Sequence, residues 1–204
     1  MKNYLQLSKP PLQFLKACKM LYKQHYKKHK FNIKMSGFHV STDLSEPHAE
    51  MLRQVIPVEV GCISWNLIKH AGPPAPSHID RGRKTAMQVP IVANPLVHSS
   101  YVLKDEKYWD KLVPSDNPTG FTHKEAIITK WENQKYPNMP MFHNFVPEYF
   151  DIIPVHPWVP YLNNTSVPHG GIHNKKLSPR YFFSLSFTHR EEMSDLTELF
   201  KEWI

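Results

Sequence analysis

Two short segments, Ser77-His78-Ile79-Asp80 and Pro168-His169-Gly170-Gly171-Ile172-His173-Asn174, carry the side chains best suited to hold a metal, and Ser178-Pro179-Arg180-Tyr181 follows the second of them. Two imidazoles and one carboxylate can occupy one triangular face of an octahedral Fe(II) ion, which leaves three positions open for a chelating cosubstrate and O2. An arginine shortly after the second histidine can hold the far end of such a cosubstrate, because its planar guanidinium pairs with a carboxylate through two parallel hydrogen bonds. His78, Asp80 and His169 are the candidate ligands, His173 is the alternative to His169, and Arg180 is the candidate anchor.

The His-x-Asp triplet has little weight alone. With 13 His and 7 Asp in 204 residues, random placement yields roughly 0.4 to 0.5 such triplets. Three His-x-Glu triplets, His48-Ala49-Glu50, His123-Lys124-Glu125 and His189-Arg190-Glu191, are rivals by pattern. Context separates them. His78 and Asp80 follow the rigid loop Ala71-Gly72-Pro73-Pro74-Ala75-Pro76 and precede a strand-like stretch. In an extended chain, residues two apart face one side, so His78 and Asp80 can enter the same cavity. His48-Ala49-Glu50 instead lies in a polar, helical stretch, and His189-Arg190-Glu191 at a strand-to-helix junction.

The elements that must position these residues are mostly strands. Gly61 to Ile68, Thr85 to Val92, Ser99 to Leu103, Glu125 to Trp131, Met141 to Phe145, Tyr149 to Val155, Val159 to Asn163 and Arg180 to Thr188 are short and rich in β-branched and aromatic residues. Pro, Gly, Asn and Asp clusters separate them, which is the pattern of an antiparallel sandwich or barrel. Lys104 to Thr122 reads as an irregular loop or short helix. On the last strand, alternation puts Phe182, Ser184 and Ser186 with Arg180 and turns Tyr181, Phe183, Leu185 and Phe187 to the other side. His169 and His173 share a face only if the strand is regular, and Gly170-Gly171 suggests a bend between them.

Helices are expected at both ends. After Pro10-Pro11, the spacing of Leu12, Leu15, Cys18, Met20, Leu21 and Tyr22 predicts an amphipathic helix over Leu12 to His29. Met193, Leu196, Leu199, Phe200 and Trp203 predict a closing helix within 190–204. The length suits a single domain over 1–204, with a basic helical extension at 1–35, a sheet core at 36–189 and the closing helix at 190–204.

The net charge of +7 is concentrated in Lys16 to Lys34. A run of lysines with little arginine or aromatic interleaving reads as a solvated helix face; it gives a nucleic-acid partner little support without closing that option. Cys18 and Cys62 are too few and too far apart for a disulfide framework, which fits a reducing, cytoplasmic setting. Asn163-Asn164-Thr165-Ser166 contains glycosylation patterns, but no secretory apolar segment accompanies them. No window approaches the run of about twenty apolar residues that a membrane span requires.

The order His-x-Asp, then about ninety residues, then Asn-Thr-x-x-Pro-His-Gly with Pro-Arg-Tyr following, resembles the Fe(II)/2-oxoglutarate-dependent oxygenases. The resemblance is strongest to small cupin-like proteins related to aspartyl/asparaginyl β-hydroxylases, and it covers roughly Gly61 to Phe187. It implies a mainly β fold, the double-stranded β-helix or jelly roll, with the metal at one mouth of the barrel, and the helices expected at both ends flank that core. It implies Fe(II) on His78, Asp80 and His169, and the distal carboxylate of 2-oxoglutarate on Arg180. The implied reaction hydroxylates a C–H bond of a small-molecule or peptidyl substrate with O2, releasing succinate and CO2. Where many relatives carry a serine or threonine two residues after the arginine, this chain has Phe182; Tyr101, Ser184 and Asn94 are the candidate substitutes at the cosubstrate. The rival readings are a non-catalytic cupin-like metal or ligand-binding module, in which Arg180 has no task, and a basic adaptor acting through Lys16 to Lys34.

Overall fold

A computed structural model of the chain describes residues 2–29, 37–68, 77–80, 83–112, 141–142, 146–173, 180–189 and 191–204. The expected strand Glu125 to Trp131 and the triplet His123-Lys124-Glu125 lie outside them. The strands are β1 (Tyr4–Gln6), β2 (Gly37–Thr42), β3 (Val60–Ile68), β4 (Ser77–His78), β5 (Thr85–Val92), β6 (His98–Leu103), β7 (Met141–Phe142), β8 (Phe150–Pro154), β9 (Tyr161–Asn164), β10 (His169–His173) and β11 (Arg180–Phe187). They form a six-stranded sheet, β1-β9-β5-β11-β3-β2, and a five-stranded sheet, β7-β4-β10-β6-β8, antiparallel throughout. This is the double-stranded β-helix expected of the chain.

The larger sheet is apolar on one face. Ile63, Trp65, Met87, Val89, Leu162, Phe183, Leu185 and Phe187 are buried there against Phe14, Ala17, Cys18 and Leu21 of helix α1 (Leu12–His29), Leu52 of α2 (Pro47–Val55), and Met193, Leu196, Phe200 and Trp203 at the C-terminus. Burying apolar surface at roughly 25 cal/mol per Å2 makes this the principal core. The second face meets the five-stranded sheet and is largely polar: Tyr161, Asn163, Gln88, Arg180 and Ser184 come from alternate positions of β9, β5 and β11.

The stripe of α1 differs from expectation in its centre. The buried residues are Phe14, Ala17, Cys18, Leu21 and His25, while Leu12 is 63% and Met20 38% exposed. At about 100° per residue, Phe14, Cys18, Leu21 and His25 cluster within one narrow arc and Leu12 falls opposite it. The closing helix is also shorter than expected: it spans Met193–Leu199, and a 3-10 turn, Lys201–Trp203, completes the segment. That turn places Trp203 edge-on against Phe14, ring centroids 4.9 Å apart, and its carbonyl accepts from the Lys9 N–H at 2.7 Å.

β5 accommodates Pro90 without breaking. The residue lacks an N–H, and the β5–β11 register shifts at Tyr181/Phe182, where Phe182 faces Pro90. The Pro90 carbonyl instead accepts from Trp158 N–H at 2.7 Å.

Candidate metal centre

Register decides which histidine meets His78. In the β4–β10 pair, His169 lies directly opposite His78, and their rings stand 4.4 Å apart. Asp80, two residues on, is fixed by its N–H, which donates to the Thr165 carbonyl at 2.8 Å. Its Oδ1 lies 3.8 Å from His78 Nε2 and its Oδ2 3.9 Å from His169 Nε2. One ligand atom from each of the three residues falls within 4.8 Å of the others. Two imidazole nitrogens and a carboxylate oxygen at that separation fit a two-His, one-carboxylate site for a divalent iron.

The surroundings prepare these groups. The His169 Nδ1 is 3.0 Å from the Val167 carbonyl, so the Nδ1–H tautomer donates there and leaves the Nε2 lone pair for a metal. Burial, reinforced by the neighbouring His78, lowers the His169 pKa to about 4, against the opposing effects of Asp80 and the Val167 hydrogen bond. The ring is therefore neutral, the state in which it ligates. Burial by itself would raise the Asp80 pKa, but the Arg83 charge, the neighbouring imidazoles of His169 and His78 and the Arg83 hydrogen bond outweigh it, holding the carboxyl well below the usual range.

β10 is a regular strand, with each residue from His169 to His173 paired to β6 from Val102 back to His98. The expected bend at Gly170-Gly171 is absent, and the glycines serve a different need. A β-carbon at Gly170 would run into the Tyr101 ring, and one at Gly171 would stand 3.3 Å from Arg180 Nη1. Regularity also separates the two histidines: at about 3.3 Å per residue, His173 begins about 13 Å from His169, opposite His98 rather than His78.

Arg180 is 3% exposed beside Gly171. Its Nη2 donates to Ser100 Oγ at 2.9 Å and to the Tyr161 hydroxyl at 3.0 Å, Nη1 reaches the Ser99 carbonyl at 3.4 Å, and the guanidinium lies 4.7 Å from the Phe182 ring centroid. Its Nε is buried without a hydrogen-bond partner, and among the described residues no carboxylate pairs with it. A buried cation left one donor short is suited to take an anion. Because Gly171 is two residues beyond His169, the guanidinium sits about 7 Å along β10 from the candidate ligands, the reach of a short dicarboxylate.

The proposed helpers of Arg180 are placed differently. Ser184 faces the cavity, but its hydroxyl accepts from Arg83 Nη1 at 2.9 Å and from Gln88 Nε2 at 3.1 Å. Asn94 shapes the turn between β5 and β6: its Oδ1 accepts from Leu96 N–H, its own N–H donates to His98 Nδ1, and its carbonyl accepts from Val97 and His98. Tyr101 is buried over Gly170 with its phenol pKa raised by that burial. The hydroxyls that touch Arg180, on Ser100 and Tyr161, carry no motif, and only strand alternation on β6 and β9 turns them inward. Arg83, three residues after Asp80, belongs to no metal-ligand motif, and its Nε donates to Asp80 Oδ2 at 2.6 Å. The rivals lie apart: His48 is on α2 and His189 follows β11.

No family model matches the chain, and no curated protein matches it in sequence. Solved structures do resemble it in fold. EvdO2 from Micromonospora carbonacea var. aurantiaca, complexed with 2-oxoglutarate, is 12% identical with a TM-score of 0.56, over 93% of this chain and 90% of that one. The non-heme alpha ketoglutarate dependent carbocyclase SnoK from nogalamycin biosynthesis is 9% identical with a TM-score of 0.53, over 91% and 79%. The epimerase SnoN, in complex with Fe3+, alpha ketoglutarate and nogalamycin RO, is 12% identical with a TM-score of 0.50, over 90% and 78%. At these identities the likeness is one of architecture.

Proposed function

We propose that this protein is an Fe(II)- and 2-oxoglutarate-dependent dioxygenase that hydroxylates a C–H bond of a small-molecule or peptidyl substrate. The observation that carries the reading is the pairing, along one strand, of a three-ligand cluster with a buried arginine whose Nε lacks a partner. A metal-binding module without turnover has no use for the second feature. The fold likeness to enzymes described as using 2-oxoglutarate and iron supports the kind of chemistry. Hydroxylation as the outcome, and the kinship with aspartyl/asparaginyl β-hydroxylases, rest on the residues alone.

In this reading His78, Asp80 and His169 hold Fe(II), and the iron with 2-oxoglutarate and O2 supplies the oxidation, releasing succinate and CO2. The protein's own contribution is placement. His169 presents Nε2 because Val167 takes its other nitrogen, and Asp80 stays ionised because Arg83 accompanies it. Arg180, steadied by Ser100, Tyr161 and the Phe182 ring, receives the 5-carboxylate of the cosubstrate and so fixes which end faces the metal. Among the described residues no helix is long and apolar enough to cross a membrane.

The test is succinate formation from 2-oxoglutarate with Fe(II) and ascorbate. The wild-type chain should turn over, and His78→Ala and Asp80→Ala should abolish both turnover and tight metal binding. A wild-type chain without turnover, whose metal affinity neither substitution changes, refutes the reading.

A further inference from the structure

A second arginine, Arg83, stands beside Asp80. Arg83 Nε donates to Asp80 Oδ2 at 2.6 Å, while Nη1 donates to Ser184 Oγ at 2.9 Å and Ser186 Oγ at 2.8 Å. The guanidinium is thereby fastened at one edge to a candidate metal ligand and at another to β11, in the middle of the larger sheet. Its surroundings are fixed as well. Gln88 Nε2 donates to Ser184 Oγ at 3.1 Å, Thr165 Oγ1 donates to the Arg83 carbonyl at 3.1 Å, and Thr165 N–H donates to the Lys84 carbonyl at 2.7 Å. The Arg83 side chain is 25% and that of Asp80 13% exposed, so this is not a loose surface pair.

A carboxylate can offer a metal one oxygen or both. Nε occupies one lone pair of Oδ2, which lies 3.9 Å from His169 Nε2, while Oδ1 is the oxygen the arginine does not bond and faces His78 Nε2 at 3.8 Å. Resting on the function proposed above, we propose that Arg83 is a positioning residue that keeps Asp80 a one-oxygen ligand and so keeps open the coordination position that the cosubstrate takes. Its charge serves the same end, because the 1-carboxylate of 2-oxoglutarate must come to rest near the anionic Asp80, and a cation beside Asp80 offsets their repulsion.

Co(II) serves as the probe, since its visible absorption reports ligand number and geometry without turnover. The full chain is titrated with Co(II) and then with 2-oxoglutarate. Arg83→Gln should still take up Co(II), with a spectrum altered before cosubstrate is added, and should bind 2-oxoglutarate on the order of ten- to a hundredfold more weakly. Arg83→Lys, which keeps the charge but not the fork, should recover part of that affinity and retain the altered spectrum; if Arg83→Gln does not fold, Arg83→Lys against wild type carries the comparison. A purely structural arginine would shift the melting temperature of the metal-free protein and leave the Co(II) spectrum alone. An unchanged spectrum with unchanged 2-oxoglutarate affinity in the Arg83 variants overturns this inference and leaves the metal centre standing. Failure of the wild-type chain to take up Co(II) overturns the metal centre itself.

Discussion

On β11, Phe183, Leu185 and Phe187 enter the apolar cluster beneath α1 and the C-terminal segment, while Arg180, Ser184 and Ser186 turn the other way and hydrogen-bond inside the cavity or to the loop that carries Asp80. Two faces built from alternate residues of one strand therefore have opposite requirements. The helix-covered face is mainly apolar, with His25 and Thr42 hydrogen-bonded to each other at 3.0 Å. The cavity face also holds buried polar atoms suited to a ligand: Arg180 Nε, Gln88 Oε1 and Asn163 Oδ1 have no hydrogen-bond partner among the described residues. Leaving such groups unsatisfied costs on the order of 1–3 kcal/mol each, which is tolerable where a ligand completes them.

The sharpest break in that comparison is Phe183→Ala. Removing a fully buried ring from the helix-covered face should cost about 3–5 kcal/mol, read as a lower urea midpoint, with turnover by the remaining folded protein retained. Acid should act next, and on the cavity side. His169 takes up a proton near pH 6.5 when unfolded but only at about 4 when folded. Between those values the unfolded chain binds more protons, so stability is complete above pH 6.5 and falls as pH drops toward 4, by about 3 kcal/mol for the metal-free protein. His169→Gln should flatten that slope in urea melts; an unchanged slope would assign it to other groups. Asp80, with its pKa depressed, adds a further loss only below the ordinary carboxylate range near 3.8.

Gly170→Ala should cost about 1–3 kcal/mol by forcing Tyr101 aside, and the same substitution should cost less in a Tyr101→Ala background, itself destabilised by the lost ring. An equal cost in the two backgrounds would mean that the ring is not what excludes a side chain at Gly170. Arg180→Leu separates the faces most directly. Deleting a buried, incompletely paired cation should leave the melting temperature of the metal-free protein within a few degrees of wild type or above it, while 2-oxoglutarate-dependent succinate formation is lost. A large fall in melting temperature would make Arg180 part of the core. Smallest of all, Leu12→Ser, on the exposed side of α1, should change stability by less than about 0.5 kcal/mol.

Much of the fold was legible because its signals are local. Thr85 to Val92 and Leu12 to His29 have the expected bounds, since strand composition between turn residues and apolar spacing after Pro10-Pro11 depend on neighbours in sequence. Segments shorter or poorer in β-formers were not legible. β1 (Tyr4–Gln6) and β4 (Ser77–His78) exist only because partners hold them, β1 on β9 and β4 between β10 and β7. β10 was obscured by Gly170-Gly171, which reads as a bend until Tyr101 and Arg180 are seen to need the space.

The sequence by itself determined the donor types, the two-residue step from His78 to Asp80, and the alternation that turns Arg180 away from Phe183. These follow from covalent order and the period of a strand. Only the tertiary structure decided that His169 rather than His173 stands opposite His78, that Ser100 and Tyr161 steady Arg180, and that Arg83 holds Asp80. Each of those depends on the register between strands distant in sequence. A shift of one residue would send every side chain to the other face, and no local pattern records which register the packing of two sheets selects.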